Sequence, residues 1–97
     1  IGVYKNVIED FPEEVWAYYG LAIAFSSNHQ PEAAIQSINE AIRLNPQVVA
    51  YHTLAGQVFE QAGNPQQALD AYKKALELDP NNGWAKDAVQ RLSSSNP

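Results

Sequence analysis

The stretch Gly63-Asn64-Pro65-Gln66-Gln67-Ala68-Leu69-Asp70-Ala71-Tyr72-Lys73-Lys74-Ala75-Leu76-Glu77-Leu78-Asp79-Pro80 decides the fold. It opens on the order in which one helix stops and the next begins. Glycine tolerates the left-handed residue that follows a helix, asparagine caps the next N-terminus, and proline suits the first helical position. Ala68, Tyr72, Ala75 and Leu76 then recur at the spacing of one helix face. Asp79-Pro80 closes the element, because the residue before a proline is pushed out of helical geometry.

Working outward, both prolines have counterparts 34 residues earlier, at Pro31 and Pro46, and Pro12 continues the series. A fixed period of this length marks a repeat architecture. Residues 15–48 align with 49–82 at seven identities: Val15/Val49, Phe25/Phe59, Pro31/Pro65, Ala34/Ala68, Ala41/Ala75, Leu44/Leu78 and Pro46/Pro80. They fall on small, apolar and turn positions, where geometry is demanding. In the first unit Tyr18, Leu21, Ala22 and Phe25 form the stripe of an amphipathic helix. Asn28-His29-Gln30 interrupts it, and a helix from Pro31 carries Ala34, Ile38, Ala41 and Ile42 to Asn45-Pro46. In the second unit Ala55, Gly56 and Phe59 take the inner face of the first helix. Ala22 or Gly56 is expected to face Ala34 or Ala68, so that paired backbones approach closely. Outer-face ion pairs are expected from Asp70 to Lys73 and Lys74, and from Lys73 to Glu77.

The ends read as partial units. Ile1, Tyr4, Val7, Ile8 and Pro12 align with Ile35, Ile38, Ala41, Ile42 and Pro46, the second half of a repeat. Trp84, Ala85, Ala88, Val89 and Leu92 make a final first helix, with Trp84 expected to cap the core. About six helices are predicted, near 1–9, 14–28, 31–44, 48–62, 65–78 and 83–93. The chain is read as one all-α domain over 1–92: a half repeat (1–14), two repeats (15–48 and 49–82), a capping helix (83–92) and a disordered tail (93–97). It opens on Ile1 rather than Met, which reads as a piece cut from something longer.

This pattern resembles the tetratricopeptide repeat, a 34-residue helix–turn–helix unit with small, aromatic and proline signature positions. The second unit carries the likeness best, in Gly56, Phe59, Gly63, Ala68, Tyr72, Ala75 and Pro80. The first offers Tyr18, Leu21, Ala22, Phe25, Ala34, Ile38, Ala41 and Pro46. His52, Ala55 and Ala22 depart from the family's usual Trp, Leu and Gly. The resemblance implies a right-handed α–α superhelix of antiparallel pairs. Its first helices would line a concave groove that holds a peptide or helix of a partner protein.

Composition narrows the function. The 97 residues carry a net charge of −5 with a pI near 4.7, which opposes nucleic acid and anionic membranes. There is no cysteine, hence no disulfide or thiolate metal site. No apolar run approaches the roughly 20 residues that span a bilayer. No cofactor is expected, and two separated histidines are no metal site. Glu13, Glu14 and Glu32 sit in first turns, where they complement the helix dipole rather than act in catalysis. No enzyme activity is expected in this segment. The compartment is unreadable, with the cytoplasm as the default.

A second stripe lies opposite the packing stripe of each first helix. It gives the candidate protein-binding residues Trp16, Tyr19 and Ile23, then Thr53, Gln57 and Glu60, then Asp87 and Arg91, with Trp84 continuing the line. Aromatic anchors in a groove are typical binding hot spots. The apolar trio reads equally as packing against a preceding repeat, or as a homodimer contact through exposed terminal faces. Some relatives clamp a C-terminal carboxylate with Lys, Asn and Arg. The corresponding places here are Tyr19, Ile23, Leu54, Trp84 and Ala88, none of which can grip one. The leading expectation is an interaction module. A structural scaffold, a self-association segment or a regulatory domain of a larger protein are the alternatives.

Overall fold

A computed structural model describes residues 15–94 and shows five helices among them: α1 (Val15–Ser27), α2 (Pro31–Leu44), α3 (Val49–Gln61), α4 (Pro65–Leu78) and α5 (Gly83–Ser94). Each lies within one residue of its predicted limits. The predicted helix at 1–9 and the half repeat at 1–14 lie outside the described residues, as do residues 95–97. Helix α5 includes Ser93 and Ser94, the first two residues of the segment 93–97 expected as a disordered tail.

The turns explain the boundaries. After α3 the Asn64 N–H donates to the Phe59 carbonyl at 2.8 Å and the Gly63 N–H to the Glu60 carbonyl at 3.0 Å. Gly63 sits at φ +82°. This pair of bonds satisfies carbonyls that the last helical turn would otherwise leave open. The turn after α1 has the same construction: Gln30 N–H to Phe25 at 2.8 Å and His29 N–H to Ser26 at 3.1 Å. Here His29, 34 residues before Gly63, takes the left-handed position at φ 58°. A side chain held there costs about 1 kcal/mol.

Asn64 does not cap α4 with its side chain, contrary to the expectation. It is the closing residue of the preceding turn, and Pro65 enters the helix without a side-chain cap. The capping asparagine is Asn82, whose Oδ1 accepts the Ala85 N–H at 2.9 Å at the start of α5.

The helices pack in series. Within each pair, α1 lies against α2 and α3 against α4; α2 then meets α3, α4 meets α5, and α1 touches α3. The body measures 45 × 25 × 17 Å, the elongated shape of a stack rather than a sphere. This is the all-α right-handed superhelix of paired helices.

Two core clusters follow the repeat. Ala22, Ala34, Ile38, Ala41, Tyr51, Leu54, Ala55 and Val58 join α1, α2 and α3. Ala68, Leu69, Tyr72, Ala75, Ala85, Ala88 and Leu92 join α4 and α5. Phe59 packs against both and links them. The predicted stripe residues Leu21, Ala22, Ala68, Tyr72 and Ala75 are all buried. His52 is buried too, with Nε2 2.8 Å from the Pro46 carbonyl, which ties α3 to the turn before it.

Two packing expectations are refined. The closest neighbour of Gly56 on α4 is the Tyr72 ring. A Cβ placed on Gly56 would lie 2.6–2.7 Å from Tyr72 ring carbons, so glycine makes room for an aromatic ring. On the surface, the short-range ion pairs run from Arg43 to Glu40 and from Lys74 to Glu77 at 3.9 Å, rather than through Asp70 or Lys73. Exposed pairs of this kind contribute little.

Candidate protein-binding groove

The first helices of successive units, α1, α3 and α5, place their second stripes along one side of the stack. Between α1 and α3 runs a trough of about 270 Å³, lined by Tyr19, Ile23, Ser26, Ser27, Ala50, Thr53, Leu54 and Gln57. Between α3 and α5 lies a larger recess of about 610 Å³, lined by Gln57, Glu60, Gln61, Trp84, Asp87, Ala88 and Arg91, with Tyr72 of α4 beside them. Gln57 borders both, so the two hollows adjoin on one grooved face. Seven of the eight candidate residues line it. Trp16 lines neither hollow; it stands nearer the start of α1, 51% exposed.

The groove's walls are fixed by contacts that the repeat period does not announce. The Tyr19 ring meets the Tyr51 ring with centroids 5.0 Å apart and planes tilted by 38°. Such tilted pairs hold both rings in place. At the rim, Ser26 Oγ donates to Gln61 Oε1 at 3.2 Å, and Gln61 Nε2 donates to the Ser26 carbonyl at 3.1 Å. This clasp joins the ends of α1 and α3. Thr53 turns its hydroxyl back to the Ala50 carbonyl at 3.0 Å.

The recess is built around Glu60. Arg91 Nη1 donates to its Oε2 at 2.6 Å, Arg91 Nη2 to its Oε1 at 2.9 Å, and the Tyr72 hydroxyl to Oε1 at 2.8 Å. One carboxylate thus joins α3, α4 and α5 through a two-pronged guanidinium bond, the stronger class of charged hydrogen bond. The hydrogen bond from Arg91 is the main cause that holds the Glu60 carboxyl below its ordinary value of 4.5. Arg91 is correspondingly pushed up. Burial, followed by the neighbouring Glu60, pushes the Tyr72 phenol well above 10.0.

These contacts bear on three expectations. Glu60 and Arg91, both expected among the partner-binding residues, meet each other. Tyr72, read as core alone, also presents its hydroxyl at the groove floor; a buried tyrosine ring normally finds a partner for its polar end, which was the available signal. Trp84 does not cap the core. It is 62% exposed, because Ala85, Ala88 and Leu92 take the inner face of α5. Among the described residues no three His, Cys, Asp or Glu side chains gather where a metal could bind. No described helix is long and apolar enough to cross a membrane.

An all-helical stack of 34-residue pairs with a groove along its first helices defines a class, the α-helical repeat proteins. Residues 19–83 match the family profile of the tetratricopeptide repeat, and the chain belongs to that family. Among curated relatives, "Small glutamine-rich tetratricopeptide repeat-containing protein 2" of Mycosarcoma maydis is 30% identical over 98% of this chain and 28% of its own length. The chain spans less than a third of the length of the curated relatives it matches. Among solved structures, the first TPR of Spaghetti (RPAP3), bound to the HSP90 peptide SRMEEVD, superposes with a TM-score of 0.90 at 22% identity, covering 95% of this chain and 73% of that one. The Arabidopsis OM64 TPR domain gives 0.88 at 25% identity, covering 95% and 76%.

Proposed function

We propose that this protein-interaction module binds an extended or helical segment of a partner protein along the groove formed by α1, α3 and α5. Tyr19 and Ile23 serve as apolar anchors at one end, and Gln57 and Thr53 offer polar contacts in the middle. Trp16 extends the apolar surface beyond the groove's mouth. The observation that carries this reading is that the two hollows adjoin at Gln57, with aromatic and polar walls in place. Preorganised walls reduce the ordering cost of binding. The peptide-bound structural neighbour supports the use of this fold for peptide capture.

The test is selection of 12-residue peptides displayed on phage against the 97-residue chain, followed by ¹H–¹⁵N shift mapping of the tightest synthetic peptide. Shifts should concentrate at Tyr19, Ile23, Thr53 and Gln57, and Tyr19→Ala with Ile23→Ala should weaken binding about tenfold or more. The stack has a second cleft on another surface, lined by residues that include Asn39, Ile42, Phe59, Gln67 and Asp70. Shifts confined to that cleft would refute the assignment.

A further inference from the structure

The recess between α3 and α5 has a chemistry that narrows the partner. Trp84 presents most of its indole surface to solvent at this recess. Asp87 follows three residues later on α5, on the same exposed side, and carries no ion pair among the described residues. Among the described residues, the cation that lines the groove is Arg91, held by both oxygens of Glu60. These two charges neutralise each other and leave the Asp87 carboxylate as the net charge of the groove lining. The chain as a whole is anionic, at −5.

An aromatic face beside a carboxylate is complementary to a cation on a flexible stem. The ring attracts the charge, the carboxylate pairs with it, and the apolar stem packs along the indole. An acidic segment would meet Asp87 and the negative field of the chain with nothing in the groove to offset them. The SRMEEVD peptide bound by the structural neighbour carries three acidic residues, so the same fold there serves the opposite charge.

We infer that the recess between α3 and α5 receives a lysine or arginine side chain of the bound segment, with Trp84 as its aromatic face and Asp87 as its counter-charge. The partner is therefore a basic peptide segment, read from Tyr19 and Ile23 at one end to Trp84 and Asp87 at the other. Glu60, Tyr72 and Arg91 do not bind the cation. They hold α3, α4 and α5 together so that the recess exists before the partner arrives. The inference rests on the groove reading above and goes beyond it in naming the charge of the partner.

The experiment repeats the phage selection with the original chain and with Asp87→Lys, and measures the selected synthetic peptides by fluorescence anisotropy at two salt concentrations. The original chain should enrich Lys or Arg at one peptide position. Asp87→Lys should lose that enrichment, and Trp84→Ala should weaken the basic peptide about tenfold. Raising salt should weaken it further, because exposed charge pairs are screened. Asp87 and Trp84 are exposed, so circular dichroism should report unchanged helix content in both variants. Peptides that bind the groove with no basic preference, or with one that survives Asp87→Lys, would overturn this inference and leave the groove reading standing. Failure to select any peptide would overturn both.

Discussion

Replacing Gly56 with alanine tests the packing logic most directly, because two principles predict opposite signs. Gly56 lies within α3, and Gly→Ala in a helix interior normally stabilises by about 1 kcal/mol. The new methyl carbon, however, would sit 2.6 Å from Tyr72 Cζ and 2.7 Å from both Cε atoms. Those distances are far inside van der Waals contact, and the ring has little room to retreat. Tyr72 is among the most buried side chains, at 1% exposure, and its hydroxyl is anchored to Glu60 at 2.8 Å. Overpacking of this kind costs about 1–3 kcal/mol. The balance is a net loss of about 1 kcal/mol, reaching about 2 if the Tyr72–Glu60 bond is strained as well. In a domain of this size that lowers Tm by roughly 5–10 °C. Thermal unfolding followed at 222 nm measures it. Tyr72→Phe should cost less in the Gly56→Ala background than alone, since removing the hydroxyl releases the ring's tether. A Gly56→Ala protein with native helix content and an unchanged or higher Tm would refute the close approach of α3 and α4 at this point.

Further outcomes follow from the turns and from the Glu60 network. His29→Gly should be neutral or gain a few tenths of a kcal/mol, as relief of the left-handed strain at φ 58° is partly offset by the entropy of the unfolded glycine; Gly63→Ala at φ +82° should lose about 1 kcal/mol. Urea denaturation of both reports the pair. Glu60, held below 4.5, contributes stability that is present above pH 4.5 and is lost as pH falls through its lower folded value, so Tm should drop less on acidification in Glu60→Gln than in the original chain. Tyr72, pushed above 10.0, contributes stability that is present below pH 10 and is lost as pH rises beyond it; Tyr72→Phe should flatten the alkaline limb of the same titration. Gln61→Ala breaks the clasp to Ser26 at both its donor and its acceptor, and should cost about 0.5–1.5 kcal/mol, read as faster amide exchange at the end of α1.

The helices were legible because their limits are written in local chemistry. Pro31, Pro65 and the X-Pro pairs Asn45-Pro46 and Asp79-Pro80 act on neighbouring residues only, and a 34-residue period repeats the instruction. The groove stripe was legible for the same reason: once α1, α3 and α5 are placed, spacing alone puts Tyr19, Gln57 and Asp87 on one side. What each stripe residue touches was not legible, because that depends on how near one helix comes to another. The approach of α5 to α4 rests on small buried residues, Ala85 and Ala88 on α5 and Ala68 and Ala75 on α4. Where α5 docks, Arg91 reaches Glu60 across 31 residues of sequence, a separation that no i, i+4 rule scans. The same docking turns Ala85 and Leu92 inward and so sends Trp84 outward, against the expectation that a large aromatic residue ends the core. Core packing in this protein therefore reaches the surface of the groove. It pairs Arg91 with Glu60, and it leaves the Trp84 indole and the Asp87 carboxylate exposed beside the recess.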